Sequence, residues 1–111
     1  MDNGDCYIFD LLNRLGISAN YTGFFQTACA VELCRTAPER LLKITKRVYP
    51  EVAKLCRTSC SAVERNIRTV CGMAWENNRC FLEQMAHKPL PKKPHNAQFL
   101  AILLYSLTTR R

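Results

Sequence analysis

The chain has 111 residues, of which 48% are hydrophobic, and a formal net charge of +7. This length allows one domain with one core rather than two, and the hydrophobic content argues against a disordered chain. No apolar run reaches the ~18 residues that a membrane span requires, and the first residues, MDNGDCY, lack the basic and apolar regions of a secretory signal. We therefore expect a cytoplasmic protein without a membrane segment.

The charge is unevenly distributed along the chain. Residues 1–34 carry one basic and four acidic side chains, residues 35–68 carry nine basic and three acidic ones, and residues 69–111 carry six basic and two acidic ones. A basic surface attracts polyanions such as nucleic acid, because binding releases their counterions. A solvated basic surface that serves only solubility is the alternative interpretation.

Hydrophobic periodicity predicts an all-α fold of about six helices and no strand. The first two helices are predicted at 5–15, with Gly16 as the stop, and at 22–34. A capping box of Thr36 and Glu39, with Pro38 in the first turn, predicts a third helix to about Val48. That helix would bury four apolar residues, Leu41, Leu42, Ile44 and Val48.

Residues 50–77 predict two helices joined by a tight turn. The first begins at Pro50 and ends near Cys56, and the second begins at a cap, Ser59 or Ser61, and ends near Asn77. A short helical turn is predicted at 81–85. Three prolines and three lysines predict a non-helical linker at 87–96, followed by a last helix at 97–108. The whole chain, 1–111, is thus predicted to form a single helical domain.

The long helix in this pair has one apolar stripe and one charged face. Its stripe consists of Val63, Ile67, Val70, Cys71 and Ala74, spaced as the buried face of a helix. Its other faces carry Ala62, Glu64, Arg65, Arg68 and Thr69. An arginine can pair with guanine in the major groove and a carboxylate can accept from cytosine, as in a helix-turn-helix protein. The alternative for Glu64 and Arg68 is an ordinary i,i+4 surface ion pair.

Residues before this helix are candidates for contacts with the DNA backbone. Lys46, Lys54 and Arg57 could bind phosphate, and Ser59 and Ser61 lie at the start of the helix. Exposed, solvated side chains are the alternative for each of them. The turn lacks the glycine that is common in such motifs.

Seven cysteines without a signal peptide argue against a disulfide framework. Cys56 and Cys60 invite comparison with a zinc site, but there is no CxxC pair and the spacing to His87 and His95 is wrong for zinc. Core thiols are one interpretation, and a redox sensor at Cys56 and Cys60 is another. No catalytic residues, phosphate-binding glycine motif, metal site or cofactor are predicted.

Several motifs resemble a known family. They are I-T-K at 44–46, Y-P-x-V-A-K at 49–54, S-x-V-E-R-x-I-R at 61–68, A-W at 74–75 and K-P-x-N-x-x-F at 93–99. With the loop at 16–23, they resemble the C-terminal DNA-binding effector domain of the sporulation master regulator, stage-zero sporulation protein A, of endospore-forming Firmicutes. The resemblance covers nearly the whole chain.

The resemblance implies an all-α effector domain of the winged-helix-like, response-regulator type without a sheet, built around a helix-turn-helix. It implies binding to promoter elements in double-stranded DNA, dimerisation on tandem sites and contact with RNA polymerase holoenzyme. The family's base-reading glutamate matches Glu64, and its following arginines match Arg65 and Arg68. Ala62 replaces a base-reading arginine and Thr69 replaces a histidine.

The departures from the family pattern at Ala62 and Thr69 affect the expected target sequence more than the expected DNA binding. Loss of one bidentate guanine contact removes ~1–3 kcal/mol of discrimination, so DNA binding carries over better than the target sequence. The family's receiver domain has no room in 111 residues, which indicates a stand-alone effector domain or an excised fragment. We expect a sequence-specific transcription regulator, and the alternative is an interaction module or antagonist that has lost specific DNA reading.

Overall fold

A computed structural model of the protein describes residues 3–108, with side chains from residue 7 onward. Within this range the chain forms six α-helices, one 3₁₀ helix and no strand, which confirms the all-α prediction. The elements in chain order are α1 (Asn3–Arg14), α2 (Thr22–Thr36), the 3₁₀ helix (Pro38–Lys43), α3 (Ile44–Arg47), α4 (Tyr49–Cys56), α5 (Cys60–Ala86) and α6 (Asn96–Thr108).

Helix α5 runs through the centre of the molecule, and α2, α4 and α6 pack against it. The predicted stripe is confirmed, because its five residues are at most 1% exposed. Large side chains from the neighbouring helices complete the core: Leu11, Leu12, Phe24, Phe99, Leu100 and Leu103. Burial of each such side chain contributes roughly 1.5–3 kcal/mol before entropy is counted, so this core fixes α5 in place.

The contact between α2 and α5 is close because Gly23 lies at the crossing. A Cβ atom at this position would lie 2.6 Å from Val70 Cγ2 and 2.9 Å from the carbonyl oxygen of Asn66. Nearby, the Asn66 amide donates to the side-chain oxygen of the buried Gln26, at 3.0 Å. Steric fit and a polar contact together set the position of α5 relative to α2.

The prediction of one helix from Thr36 to Val48 was wrong. Thr36 ends α2, and its hydroxyl donates to the Leu33 carbonyl instead of capping the next helix. A 3₁₀ helix and the single turn of α3 follow. A 3₁₀ helix has three residues per turn, so the spacing of its apolar residues no longer gives one buried face: Val48 is buried, Leu41 and Ile44 are partly buried, and Leu42 is 85% exposed.

Helix α5 continues beyond the predicted end at Asn77. Asn78 interrupts the helical backbone with φ −155° and ψ 61°, and the helix then resumes to Ala86. The Asn78 side chain donates to the Arg14 carbonyl at 2.9 Å and accepts from the Phe81 backbone N–H at 3.2 Å. The turn predicted at 81–85 therefore belongs to the second part of α5, whose start Asn78 caps.

No helix within residues 3–108 is both long and apolar enough to span a lipid bilayer.

Candidate DNA interface

Helices α4 and α5 are joined by a turn of three residues, 57–59. Arg57 adopts the left-handed conformation, with φ 55°. This conformation allows the Arg57 N–H to bond to the Lys54 carbonyl and the Thr58 N–H to bond to the Ala53 carbonyl, at 2.9 Å. The two bonds form a Schellman ending, so an arginine occupies the position where a glycine is common.

Ser59 caps α5; it is one of the two residues, Ser59 and Ser61, that the sequence predicted as the cap. Its backbone is extended and its Oγ accepts from the Ala62 backbone N–H at 3.1 Å. The Ser61 hydroxyl lies 3.3 Å from the Ser59 hydroxyl and is not the cap. Both serines are exposed, at the end of α5 that a helix-turn-helix protein directs toward base edges.

Glu64 and Arg68 form the ion pair that the alternative interpretation described. Arg68 Nε lies 3.2 Å from Glu64 Oε2, and a second contact joins Arg68 Nη2 to Glu64 Oε1 at 3.3 Å. The Glu64 side chain remains 41% exposed and the Arg68 side chain 57% exposed. An exposed pair on a helix contributes only ~0.3–0.5 kcal/mol, so either side chain can turn to another partner at small cost.

The rest of this face is accessible. Arg65 and Thr69 are exposed and Ala62 is partly buried. The Thr69 hydroxyl donates to the Arg65 carbonyl at 3.0 Å, inside the helix. Within residues 7–108, the Arg65 guanidinium has no hydrogen-bond or ion-pair partner, so it is available to a ligand.

Lys46, Lys54 and Arg57 are exposed on the elements that precede α5. Lys46 lies on α3 and lines a shallow groove with Thr45 and Ala97. Lys54 is in the last turn of α4, and Arg57 is in the turn that follows. None of the three has a salt bridge within the described part of the chain.

Two adjacent grooves run along the exposed side of α5, and both include Lys93 and Arg68. One groove is lined by Arg65, Thr69 and Glu76 in addition, and the other by Glu64, Tyr49, His95 and Asn96. Sequence reasoning assigned no role to the residues at 93–96 beyond a linker. Their K-P-x-N motif was the available signal, but their proximity to α5 depends on contacts that are distant in sequence.

Asn96 connects both helices of the motif. Its side-chain amide donates to the hydroxyl of Tyr49 on α4, at 2.9 Å, and to the Glu64 carbonyl on α5, at 3.1 Å. Asn96 is also the first residue of α6, one position before the predicted start. The angle between α4 and α5 is therefore held by a residue from the C-terminal third of the chain.

The cysteines are distributed between core and surface. Cys34 and Cys71 are buried, Cys29 and Cys56 are partly buried, and Cys60 and Cys80 are exposed. Burial raises the pKa of each of the thiols of Cys29, Cys34 and Cys71 to about 11, which keeps them protonated and unreactive near neutral pH. No three His, Cys, Asp or Glu residues in the described chain are grouped to hold a metal ion. Cys6 lies outside the described side chains.

A comparison with protein families matches residues 8–107 to the family described as sporulation initiation factor Spo0A, C terminal. The match includes the turn, the exposed face of α5 and the segment at 93–96. The six helices and the absence of a strand among residues 3–108 agree with this assignment. The chain belongs to the Spo0A C-terminal family, whose members are DNA-binding effector domains of sporulation transcription regulators.

Proposed function

We propose that the protein is a sequence-specific transcription regulator and that α5 enters the major groove of double-stranded DNA. The observation that carries this proposal is the exposed face of α5, where the available Arg65 lies beside the Glu64–Arg68 pair. A short capped turn precedes this face, and the core holds α5 from behind. These features suit a rigid reading helix.

The roles of individual residues follow from their chemistry. Glu64 would accept from a cytosine amino group, while Arg65 and Arg68 would bind bases or phosphates. Lys46, Lys54, Arg57 and Ser59 would position the DNA backbone, with Ser61, Ala62 and Thr69 at the same surface. Opening the Glu64–Arg68 pair costs less than the ~1–3 kcal/mol that a good base contact supplies, so the pair is compatible with reading.

The test is selection of bound duplexes from a random DNA library, followed by sequencing. The protein should enrich one motif, with a preference of ~10³ or more over random DNA. Glu64→Ala should relax the preference at one base pair and leave the remaining positions intact. Glu39→Ala is the matched control, because it removes another exposed carboxylate outside the α4–α5 motif. An unchanged motif for Glu64→Ala would refute the base-reading role.

Ala62 gives reason to consider a second candidate, an interaction module or antagonist without specific reading. A methyl group stands where the family resemblance places a guanine-reading arginine, so one source of discrimination is missing. Uniform binding of all duplexes in the selection would favour this candidate. Ala62→Arg should then restore an enriched motif that contains a guanine.

We propose two further partners on the strength of the family assignment: a second copy of the chain on tandem sites, and RNA polymerase holoenzyme. A duplex with two copies of the selected motif should bind the protein cooperatively, compared with a duplex that has one copy. Transcription in vitro from such a template should change when the protein is added. Absence of both effects would limit the function to binding single sites.

A further inference from the structure

The proline-rich segment between α5 and α6 is pinned to α5 at several points. Leu90 is buried; its carbonyl accepts from Arg79 Nη2 and its N–H donates to Glu83 Oε2, both at 2.7 Å. Further along, the Cys71 thiol donates to the Pro94 carbonyl at 3.3 Å. Asn96 then bonds to the Glu64 carbonyl. The segment thus follows α5 toward its N-terminal half, and contacts within the protein fix its position.

Lys93 lies within this pinned segment and projects over α5 at Gly72. Its Nζ lies 3.9 Å from the position that a Cβ of Gly72 would occupy. This distance is an ordinary van der Waals contact, so the ammonium group lies directly over the helix at this position. Lys93 is exposed and has no salt bridge within residues 7–108.

The groove beside Lys93 has an excess of positive charge. Lys93, Arg65 and Arg68 line it together with one carboxylate, Glu76. The carboxylate of Glu64 lines the adjoining groove and is paired with Arg68. Lysine and arginine side chains grouped with few acids favour a polyanion, since its phosphates reduce their mutual repulsion.

We propose that Lys93 is a DNA-binding residue, and that the pinned segment presents it to a backbone phosphate beside the major groove occupied by α5. This inference rests on the proposed function and adds a second element to the interface. Because contacts within the protein fix the segment, binding loses less conformational entropy there than it would with a mobile linker. Lys93 would strengthen binding to every sequence rather than select one.

The experiment measures affinity for a random-sequence duplex between 50 and 200 mM salt. Lys93→Ala should lower the slope of log K against log salt by about 0.9, the value for one phosphate contact. A slope difference of about 0.9 over this fourfold change in salt means that the affinity of Lys93→Ala should fall by a factor about 3.5 times smaller than that of the unmodified protein. Lys92→Ala is the matched control, because Lys92 is an exposed neighbour that lines neither groove. Lys93→Arg should restore the slope.

Equal slopes for Lys93→Ala, Lys92→Ala and the unmodified protein would overturn the proposal, as would equal losses in both alanine variants. The random duplex separates this test from that of base reading. If Glu64→Ala leaves the motif unchanged while Lys93→Ala lowers the slope, base reading fails and the phosphate contact stands. If the unmodified protein binds no duplex even at 50 mM salt, both proposals fail.

Discussion

At the scale of single residues, Arg57 combines a strained backbone with an exposed charge. The left-handed conformation costs a residue with a side chain roughly 1–2 kcal/mol, and glycine would adopt it without that strain. Arg57 adopts it at the end of α4, and its side chain makes no salt bridge in the described part of the chain. We expect this combination if the side chain serves the proposed DNA binding rather than the fold.

Arg57→Gly should therefore stabilise the protein and weaken DNA binding. Relief of the strain, less the entropy cost of glycine, should raise the free energy of unfolding by about 0.5–1 kcal/mol, measured by urea denaturation. The slope of log K against log salt for duplex binding should fall by about 0.9. Arg57→Lys is the control that keeps the charge and the strain. Unchanged salt dependence in Arg57→Gly would remove Arg57 from the interface.

Glu83 connects a single ionisable group to the position of the pinned segment. The backbone N–H of Leu90 and, to a smaller extent, Arg79 lower the pKa of the Glu83 carboxyl below its ordinary value. A carboxyl with a lowered pKa in the folded state stabilises the protein above its ordinary pKa. The contribution is lost as the pH falls through the lowered value.

The unfolding midpoint should therefore depend on Glu83 at neutral pH and much less in acid. We expect Glu83→Gln to lower the urea midpoint at pH 7, and the difference from the unmodified protein to shrink as the pH falls below about 4. Glu76→Gln is the matched control, because it removes an exposed carboxylate from the same helix. A difference between Glu83→Gln and the unmodified protein that stays constant with pH would contradict this account.

At the scale of the elements, two glycines on α2 and α5 have opposite steric surroundings. Gly23 lies where the two helices meet, with three atoms inside 3.0 Å of a possible Cβ, whereas Gly72 has only the Lys93 ammonium at 3.9 Å. Both lie within helices, where glycine is less favourable than alanine by about 0.8–1.0 kcal/mol.

Alanine should thus have opposite effects at these two positions. Gly23→Ala should destabilise the protein by about 1–3 kcal/mol, because Val70 or the backbone of α5 must move. Gly72→Ala should stabilise it by up to about 1 kcal/mol through helix propensity. Urea denaturation of the two variants checks both signs. A stabilised Gly23→Ala protein would show that the crossing can widen without cost.

The spacing of apolar residues predicted those helices that keep a regular α-helical period along their length. The stripe of Val63, Ile67 and Val70 was predicted because a regular α-helix keeps these positions on one side. The error at Leu42 arose because 3₁₀ geometry changes that period. The continuation of α5 past Asn77 was missed because the Asn78 side chain restarts the helix while bonding to Arg14, 64 residues earlier.

At the scale of the whole molecule, the positive charge is concentrated on the middle elements of the chain. Helices α1 and α2 together carry three acidic and two basic residues, whereas residues 38–68, from the 3₁₀ helix to the first half of α5, carry eight basic and three acidic ones. Approach to a polyanion is therefore favoured for the elements from the 3₁₀ helix to the first half of α5 over the first two helices. Charge distribution alone orients the molecule before specific contacts form.

The candidate site was predictable from sequence only where its residues lie close together in the chain. Seven candidate residues occupy one helix and its cap, so spacing alone predicted that they share one side of it: Ser59, Ser61, Ala62, Glu64, Arg65, Arg68 and Thr69. Asn96 reaches Tyr49 across 47 positions and the Glu64 carbonyl across 32. Such contacts follow from the packing of the finished fold, which is why Lys93 and Asn96 received no role from the sequence.

Helix α5 has buried and exposed positions that alternate closely, since Val63 is fully buried between Ala62 and Glu64. The residues that we propose to read DNA and the residues that hold the core therefore occupy separate positions of the same helix. Substitutions outside the buried stripe, such as Ala62→Arg, should therefore change the proposed reading residues without disturbing the core. A regulator built in this way can acquire a new set of target genes while it inherits its fold unchanged.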